Sequence, residues 1–213
     1  MYVPKHHQLT NQDAIFSLVE SYPLGVWVCP SEGSLVANHV PFFLDRSKGT
    51  CGTLIGHVSR ANPVWRNLGA TIPSVVTFQG PQAYISPGWY PSKSDNGKVV
   101  PTWNYAVAHA HGVARAIEDG DWLIAMLNRL TNFHESHQQA PWHVSDAPTS
   151  YVDKLLRAVV GIEISIDRLE GKLKASQDEL VQDRHGTVLG LQNGTHTEER
   201  AMADLVMKAI EAE

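Results

Sequence analysis

The tightest constraint on this chain is its punctuation. Short runs of β-branched and aromatic residues are broken again and again by turns containing Gly or Pro. Residues 24–29 and 35–44 are two such runs, joined by Pro30-Ser31-Glu32-Gly33-Ser34, a good hairpin connection. Asp45-Arg46-Ser47-Lys48-Gly49 predicts another turn, and residues 50–58 a third strand. Strand-like runs continue at residues 74–78, 83–86 and, after a polar loop at 91–98, at 107–117. Strands this short and closely spaced suggest an antiparallel barrel or sandwich rather than a parallel βαβ sheet. No segment has the strand, Gly-rich loop and helix of a dinucleotide or P-loop site.

Helical periodicity frames these strands. Residues 10–21 predict a first helix, with Thr10 or Asn11 as N-cap and Ala14, Ile15, Leu18 and Val19 on one face. Residues 120–135 predict a second, striped by Trp122, Leu123, Met126, Leu127 and Leu130, and residues 150–158 a shorter one. From Val160 to Asp167 apolar and polar residues alternate, which predicts a half-buried strand over 159–167. Residues 195–212 predict a last helix. Thr195 and Glu198 stand at capping-box spacing there, and Met202, Leu205, Val206 and Ile210 supply its apolar face. The expected class is α+β, mostly β with flanking helices. At 213 residues the chain fits one domain, since single cores stop growing at ~250–300 residues, with 168–213 as a C-terminal extension ending in a helix.

Composition excludes several classes. No stretch approaches the ~20 apolar residues that span a bilayer, and the polar opening lacks the apolar core of a signal peptide, so a cytoplasmic protein is expected. Cys29 and Cys51 make no metal, redox or disulfide motif, and both sit in apolar strand contexts as core residues. Seventeen Lys and Arg against 22 Asp and Glu give a net charge of −5, with no basic run longer than two residues, which does not favour DNA. A Ser-His-Asp hydrolase has no Gly-x-Ser-x-Gly anchor.

The polar aromatic residues concentrate in three segments. They are Gly56-His57-Val58-Ser59-Arg60-Ala61-Asn62-Pro63-Val64-Trp65, Gln79-Gly80-Pro81-Gln82-Ala83-Tyr84-Ile85-Ser86-Pro87-Gly88-Trp89-Tyr90, and Val100-Pro101-Thr102-Trp103-Asn104-Tyr105. Aromatic rings beside amides and hydroxyls at strand ends suit a planar polar ligand, with rings for its faces and hydrogen bonds for its edges. The same composition closes barrel ends and builds subunit contacts, so both readings stand on the residues alone. His109 and His111, two apart on a strand, share a face, and His134 and His137 sit at a helix end near His143. Neither pair has a third ligand at settled spacing, so no metal is expected. Lys172 and Lys174, also two apart, suit an anion, or equally an edge strand guarded by lysines.

Taken together and in order, Met1-Tyr2-Val3-Pro4-Lys5-His6, Ser59–Trp65, Gly80–Tyr90, Val100–Tyr105 and residues 169–177 resemble the PaiB-type family, described as FMN-binding negative transcriptional regulators. The resemblance covers nearly the whole chain. It implies an antiparallel split β-barrel like that of pyridoxamine-phosphate oxidase-like flavoproteins, and a homodimer with FMN at the subunit interface. The phosphate in such folds is held by Arg or Lys with Ser or Thr. By position Arg60 with Ser59 is the expected anion group, with Lys172 and Lys174 in reserve. His57, Asn62, Tyr84, Ser86, Trp103 and Asn104 are expected on the ribityl chain or ring edge. No catalytic residue is assigned. Two departures stand out: Asp178 follows Lys-x-Ser-Gln where Asn is usual, and His7 stands where an aromatic is common. The alternative readings are a flavin-dependent oxidoreductase, a haem- or metal-binding split barrel, and a DNA-binding repressor, for which no helix-turn-helix signature is present.

Overall fold

A computed structural model describes residues 1–69 and 71–212. Among them the strands are β1 (Gln8–Leu9), β2 (Leu24–Ser31), β3 (Ser34–Pro41), β4 (Phe43–Asp45), β5 (Thr53–Ser59), β6 (Pro73–Ile85), β7 (Thr102–Ile117) and β8 (Val159–Lys174). The helices are α1 (Gln12–Ser21), α2 (Lys93–Asn96), α3 (Gly120–Glu135), α4 (Thr149–Leu156), α5 (Val181–Gln192) and α6 (Thr197–Glu211). The strands hydrogen-bond in the order β3-β2-β6-β7-β8-β5-β4, with β1 on β8. Among the described residues no helix is long and apolar enough to cross a membrane.

The chain divides into two compact units. The first comprises Met1–Ser21, Gln79–Ala108 and Glu170–Glu213, and the second Tyr22–Phe78 and His109–Leu169. The residues after Leu169, expected as an extension, are thus part of a compact body with the N-terminal segment.

In the second unit β2 and β3 form the expected hairpin, in register from Leu24↔Pro41 to Ser31↔Ser34. Glu32 and Gly33 make its two-residue turn at φ 51° and 80°, the double left-handed conformation that matches strand twist. Strand β5 lies antiparallel to β8 from Thr53↔Ser165 to Ser59↔Val159. Helix α3 starts at the expected residue because Asp119 caps it, accepting from the Trp122 N–H at 2.7 Å. Its stripe of Leu123, Met126 and Leu130 packs on Ile55, with Trp122, Leu127 and Phe43 alongside.

In the first unit the Ala14 N–H donates to Asn11 Oδ1, so Asn11 rather than Thr10 caps α1. Strands expected at 83–86 and 107–117 are ends of longer ones, because β6 runs unbroken through Gly80-Pro81 and β7 begins at Thr102. Helix α6 starts two residues later than expected. The Glu199 carboxylate, not that of Glu198, accepts from the N–H of the capping residue, which is His196 rather than Thr195. Helix α5 was not expected at all. Val188 and Leu191 from α5 join Met202, Ala203 and Val206 from α6, with Ala83, Ile85, Tyr90 and Ala175, in one buried cluster.

Candidate functional site

The ten residues singled out from sequence fall into the two units, and their surroundings differ. In the second unit, β5 delivers His57 and Ser59 to a turn that is bonded to itself. Arg60 Nε donates to Arg157 O at 2.9 Å and Nη2 to Val159 O at 3.2 Å, while Nη1 meets the Glu118 carboxylate. Its guanidinium also lies over the Trp65 ring, whose Nε1 donates to Arg60 O at 3.1 Å. Ser59 Oγ accepts from the Ala61 N–H. Asn62 caps the short helical turn Pro63–Asn67, with Oδ1 accepting from the Val64 N–H and Nδ2 donating to Asn38 Oδ1 at 2.7 Å. His57 differs: its Nδ1 is buried without a hydrogen-bond partner among the described residues, and burial pushes its pKa down. His109 and His111 share a face of β7 with ring centroids 6.2 Å apart. A cleft of about 150 Å³ in this unit is lined by Lys48, Ile55, Trp122, Ala125, Met126 and Arg129, none of them residues the sequence pointed to.

In the first unit the site is built around the end of β8. Strand alternation puts Lys172 and Lys174 on one face, and pairing of Gln8 with Lys172 and Leu9 with Gly171 brings the opening motif alongside. Lys174 Nζ donates to Thr102 Oγ1 and to Trp103 O. Lys172 Nζ reaches Tyr2 O at 3.5 Å and lies 5.0 Å from the centre of the Tyr105 ring, a cation–π contact. The hydrogen bonds of both ammonium groups go to neutral oxygens, with a π-face on Lys172, while the charge of Lys174 also acts on Glu179, opposing the burial and the neighbouring Asp178 and Asp183 that push that carboxyl up. Tyr84 and Trp103, about half exposed at 49% and 48%, meet edge to face at 6.2 Å, and Trp103 Nε1 donates to Gln82 Oε1. Ser86 is spent on local structure, accepting from the Gly88 N–H at the start of the turn Pro87–Trp89.

The chain leaves β8 through a tight polar turn. Ser176 sits at φ 59°, an uncommon conformation for a residue with a Cβ, and its side chain is buried. Gln177 closes the turn, its Oε1 accepting from the Ala175 N–H and its Nε2 donating to Leu173 O, both at 2.7 Å. Asn104, fully buried on the opposite face of β7 from Trp103, donates through Nδ2 to Ser176 Oγ at 2.8 Å. Asn104 Oδ1 is buried with no hydrogen-bond partner among the described residues. A buried acceptor without a donor is costly, ~1–3 kcal/mol, so this oxygen takes a donor from a bound water or from a ligand. Next to the turn, burial and the charges of Glu179, Asp183 and Asp178 push the Tyr90 phenol up to about 12, so it stays protonated.

Sequence reasoning singled out Lys172, Lys174 and Asn104 but gave no role to Ser176 and Gln177, although both lay in the Lys-x-Ser-Gln segment. The available signal was that segment's position at a strand end. It also missed Asp183, a buried carboxylate that accepts from Ser92 Oγ at 2.7 Å and from the Ser92 N–H at 3.0 Å.

The set in the first unit fits a flavin mononucleotide chemically. It holds two cations hydrogen-bonded to neutral groups, a buried amide oxygen without a partner among the described residues, and two half-exposed rings. Comparison with known proteins points the same way. A family model described as "Putative FMN-binding domain" matches residues 1–168. The protein named "Protease synthase and sporulation protein PAI 2" of Bacillus subtilis is 31% identical over 206 residues, covering 97% of this chain and 96% of that one. An uncharacterized protein of Emericella nidulans is 34% identical over 228 residues, 91% of each chain. Among solved structures, the FAD and heme binding protein from Mycobacterium smegmatis superposes with a TM-score of 0.58 at 22% identity, covering 79% of this chain and 73% of that one. The flavocytochrome Anf3 from Azotobacter vinelandii gives 0.58 at 15% identity, covering 81% and 72%. The two structures share the fold, the α+β split-barrel class that the family resemblance implied and that fits the antiparallel barrel expected from the strand pattern. Matched over its first 168 residues by the family model, and 31% identical to the Bacillus subtilis protein across nearly all of both chains, this chain belongs to the PaiB-type FMN-binding family.

Proposed function

We propose that this chain binds FMN through the turn at the end of β8, and does so as a homodimer. The observation that carries the reading is the buried Oδ1 of Asn104, unpartnered among the described residues, beside Ser176 at the end of a strand whose lysines hydrogen-bond only to neutral groups. Lys174 and Lys172 would hold the phosphate. Asn104 and Ser176 would bind the ribityl hydroxyls, and Tyr84 and Trp103 would cover the ring. When bound, FMN supplies the redox chemistry, and the residues of this chain hold it, orient it and exclude water. Arg60, with Ser59 and Asn62, is read as a structural turn, because all three of its guanidinium nitrogens are already engaged.

A second copy laid over Tyr84 and Trp103 would remove two half-exposed rings from water, which supports the dimer. A regulatory role for such a dimer is inferred to run through flavin occupancy and a protein or metabolite partner. A net charge of −5 gives little attraction for nucleic acid phosphates. The relatives that bind FAD and haem support a flavin occupant in general terms and say nothing of which flavin is used here.

The test is a titration of the flavin-free chain with FMN, read by flavin fluorescence, with native mass determined in parallel. Saturable binding at one FMN per chain and a dimeric mass are expected. A chain that takes up no FMN at high protein concentration would refute the reading. A salt-dependent shift of promoter DNA by the purified protein would overturn the indirect route to regulation.

A further inference from the structure

The histidine pairs visible in the sequence lie in the second unit, and the first unit has metal-ligating groups of its own. His6 and His7 come from the short helical turn Lys5–His7 near the N-terminus, and Asp178 follows the turn that closes β8. One nitrogen of each imidazole and one carboxylate oxygen of Asp178 all lie within 4.8 Å of one another. What joins residues so far apart in sequence is the register of β1 on β8, which sets Gln8 opposite Lys172.

The environment of His7 prepares it as a ligand. Its side chain is buried, with the residue 4% exposed, and the two imidazoles meet edge to face at 4.1 Å. His7 Nδ1 stands 3.1 Å from Gln177 Oε1. The orientation of that amide is settled by its other bonds, since its nitrogen donates to Leu173 O and its oxygen accepts from the Ala175 N–H. An amide oxygen can only accept, so Nδ1 carries the proton and Nε2 carries the lone pair. A metal-binding histidine is commonly held this way, its other ring nitrogen fixed by an acceptor behind it. His6 and Asp178 are exposed and free to adjust. Ligand atoms on one zinc ion lie no more than ~4.2 Å apart, twice a Zn–N bond, so closure asks only small movements of two surface side chains.

We propose that His6, His7 and Asp178 form a binding site for a divalent first-row transition ion of the zinc class. Two histidines and one carboxylate with at least one position open to water is a ligand set that zinc and non-haem iron sites use. The site does not rest on the flavin reading, because neither its ligands nor its test involves FMN.

The experiment is a titration of the full chain, flavin-free and stripped with EDTA, with Co²⁺ alone and then with Zn²⁺. One equivalent of Co²⁺ should bind and give visible ligand-field bands, which Zn²⁺ should abolish by displacement. Asp178→Asn and His7→Phe should each weaken Co²⁺ binding at least ~10-fold, with circular dichroism and metal-free thermal midpoint unchanged in Asp178→Asn. His137→Asn, a control on a surface histidine elsewhere, should leave binding unaltered. Asp178 is exposed, so Asp178→Asn keeps the test decisive even where His7→Phe perturbs folding. Absence of stoichiometric binding, full affinity in Asp178→Asn, or loss of binding in His137→Asn would each overturn the proposal.

Discussion

In the second unit cations and carboxylates find each other. Arg60 meets Glu118, Arg129 donates to Asp45 at 2.9 Å, and Arg115 and Lys48 converge on the buried Glu163. In the first unit Lys172 and Lys174 meet a hydroxyl, two carbonyls and a ring, while the buried Asp183 is held by the hydroxyl and N–H of Ser92. Charges that neutralise one another have little left to offer a ligand. Charges solvated by neutral dipoles keep most of their field and can exchange a weak partner for a strong one. The contrast is the reason the proposed site uses Lys174 rather than Arg60, two residues that look alike in the sequence because each belongs to a polar motif at a strand end.

Four measurements would sharpen or break this contrast, and the largest effect is expected at Asp183. Replacing it with Ala leaves two buried donors of Ser92 without an acceptor, and each such bond to a charged group is worth ~1.5–3 kcal/mol. Urea unfolding should register a loss of about 3 kcal/mol; a loss under 1 would mean that Ser92 is rescued by water. Next comes Lys174→Ala, which should weaken FMN binding ~10- to 150-fold, equivalent to ~1.5–3 kcal/mol. Stability should barely change. Unaltered FMN affinity would remove Lys174 from the site.

Arg60→Ala should behave in the opposite sense, lowering stability by about 1 kcal/mol while FMN affinity stays within ~3-fold. A large affinity loss here would show that Arg60 leaves Glu118 for the phosphate, and would dissolve the contrast. The smallest effect is at Asp45. The hydrogen bond from Arg129, aided by Ser47 and opposed by burial, holds its carboxyl down at about 2. A depressed folded-state pKa contributes stability above the unfolded value of ~3.9, and that contribution is lost as pH falls toward 2. Because Arg129 is partly exposed and solvent screens the pair, the contribution is on the order of 1 kcal/mol. Asp45→Asn should flatten the acid limb of the stability profile between about pH 4 and 2. An unchanged limb would assign acid sensitivity to other carboxylates.

Helices α3 and α5 show where sequence reading succeeds and where it stops. Helix α3 puts apolar residues on its buried stripe, so its period and its Asp119 cap can be read locally. Helix α5 buries Asp183, Arg184 and Thr187 along with Val188 and Leu191, and it carries Gly186 and Gly190, which lower helix propensity. At Gly190 a Cβ would overlap the Trp89 ring, so the residue that weakens the local signal is the one that packing requires. The proposed site follows the same division. The chemistry of Tyr84, Trp103, Asn104, Lys172 and Lys174 and the strand alternation of the two lysines were legible in the sequence, while their partners were not.

By itself the sequence determined the α+β class, the β2–β3 hairpin, α3 and its cap, and the family, because each is written in nearest neighbours or in motifs that stay intact along the chain. The tertiary structure decided which polar residues have partners. That Arg60 is closed off by Glu118, that Asn104 Oδ1 is left waiting beside Ser176, and that His6 and His7 meet Asp178 all depend on strand register between distant segments. A hydrogen bond or a ligand set is a property of two or three positions in space. Local sequence fixes the chemistry each residue brings, and only the pairing of strands fixes the distance between them.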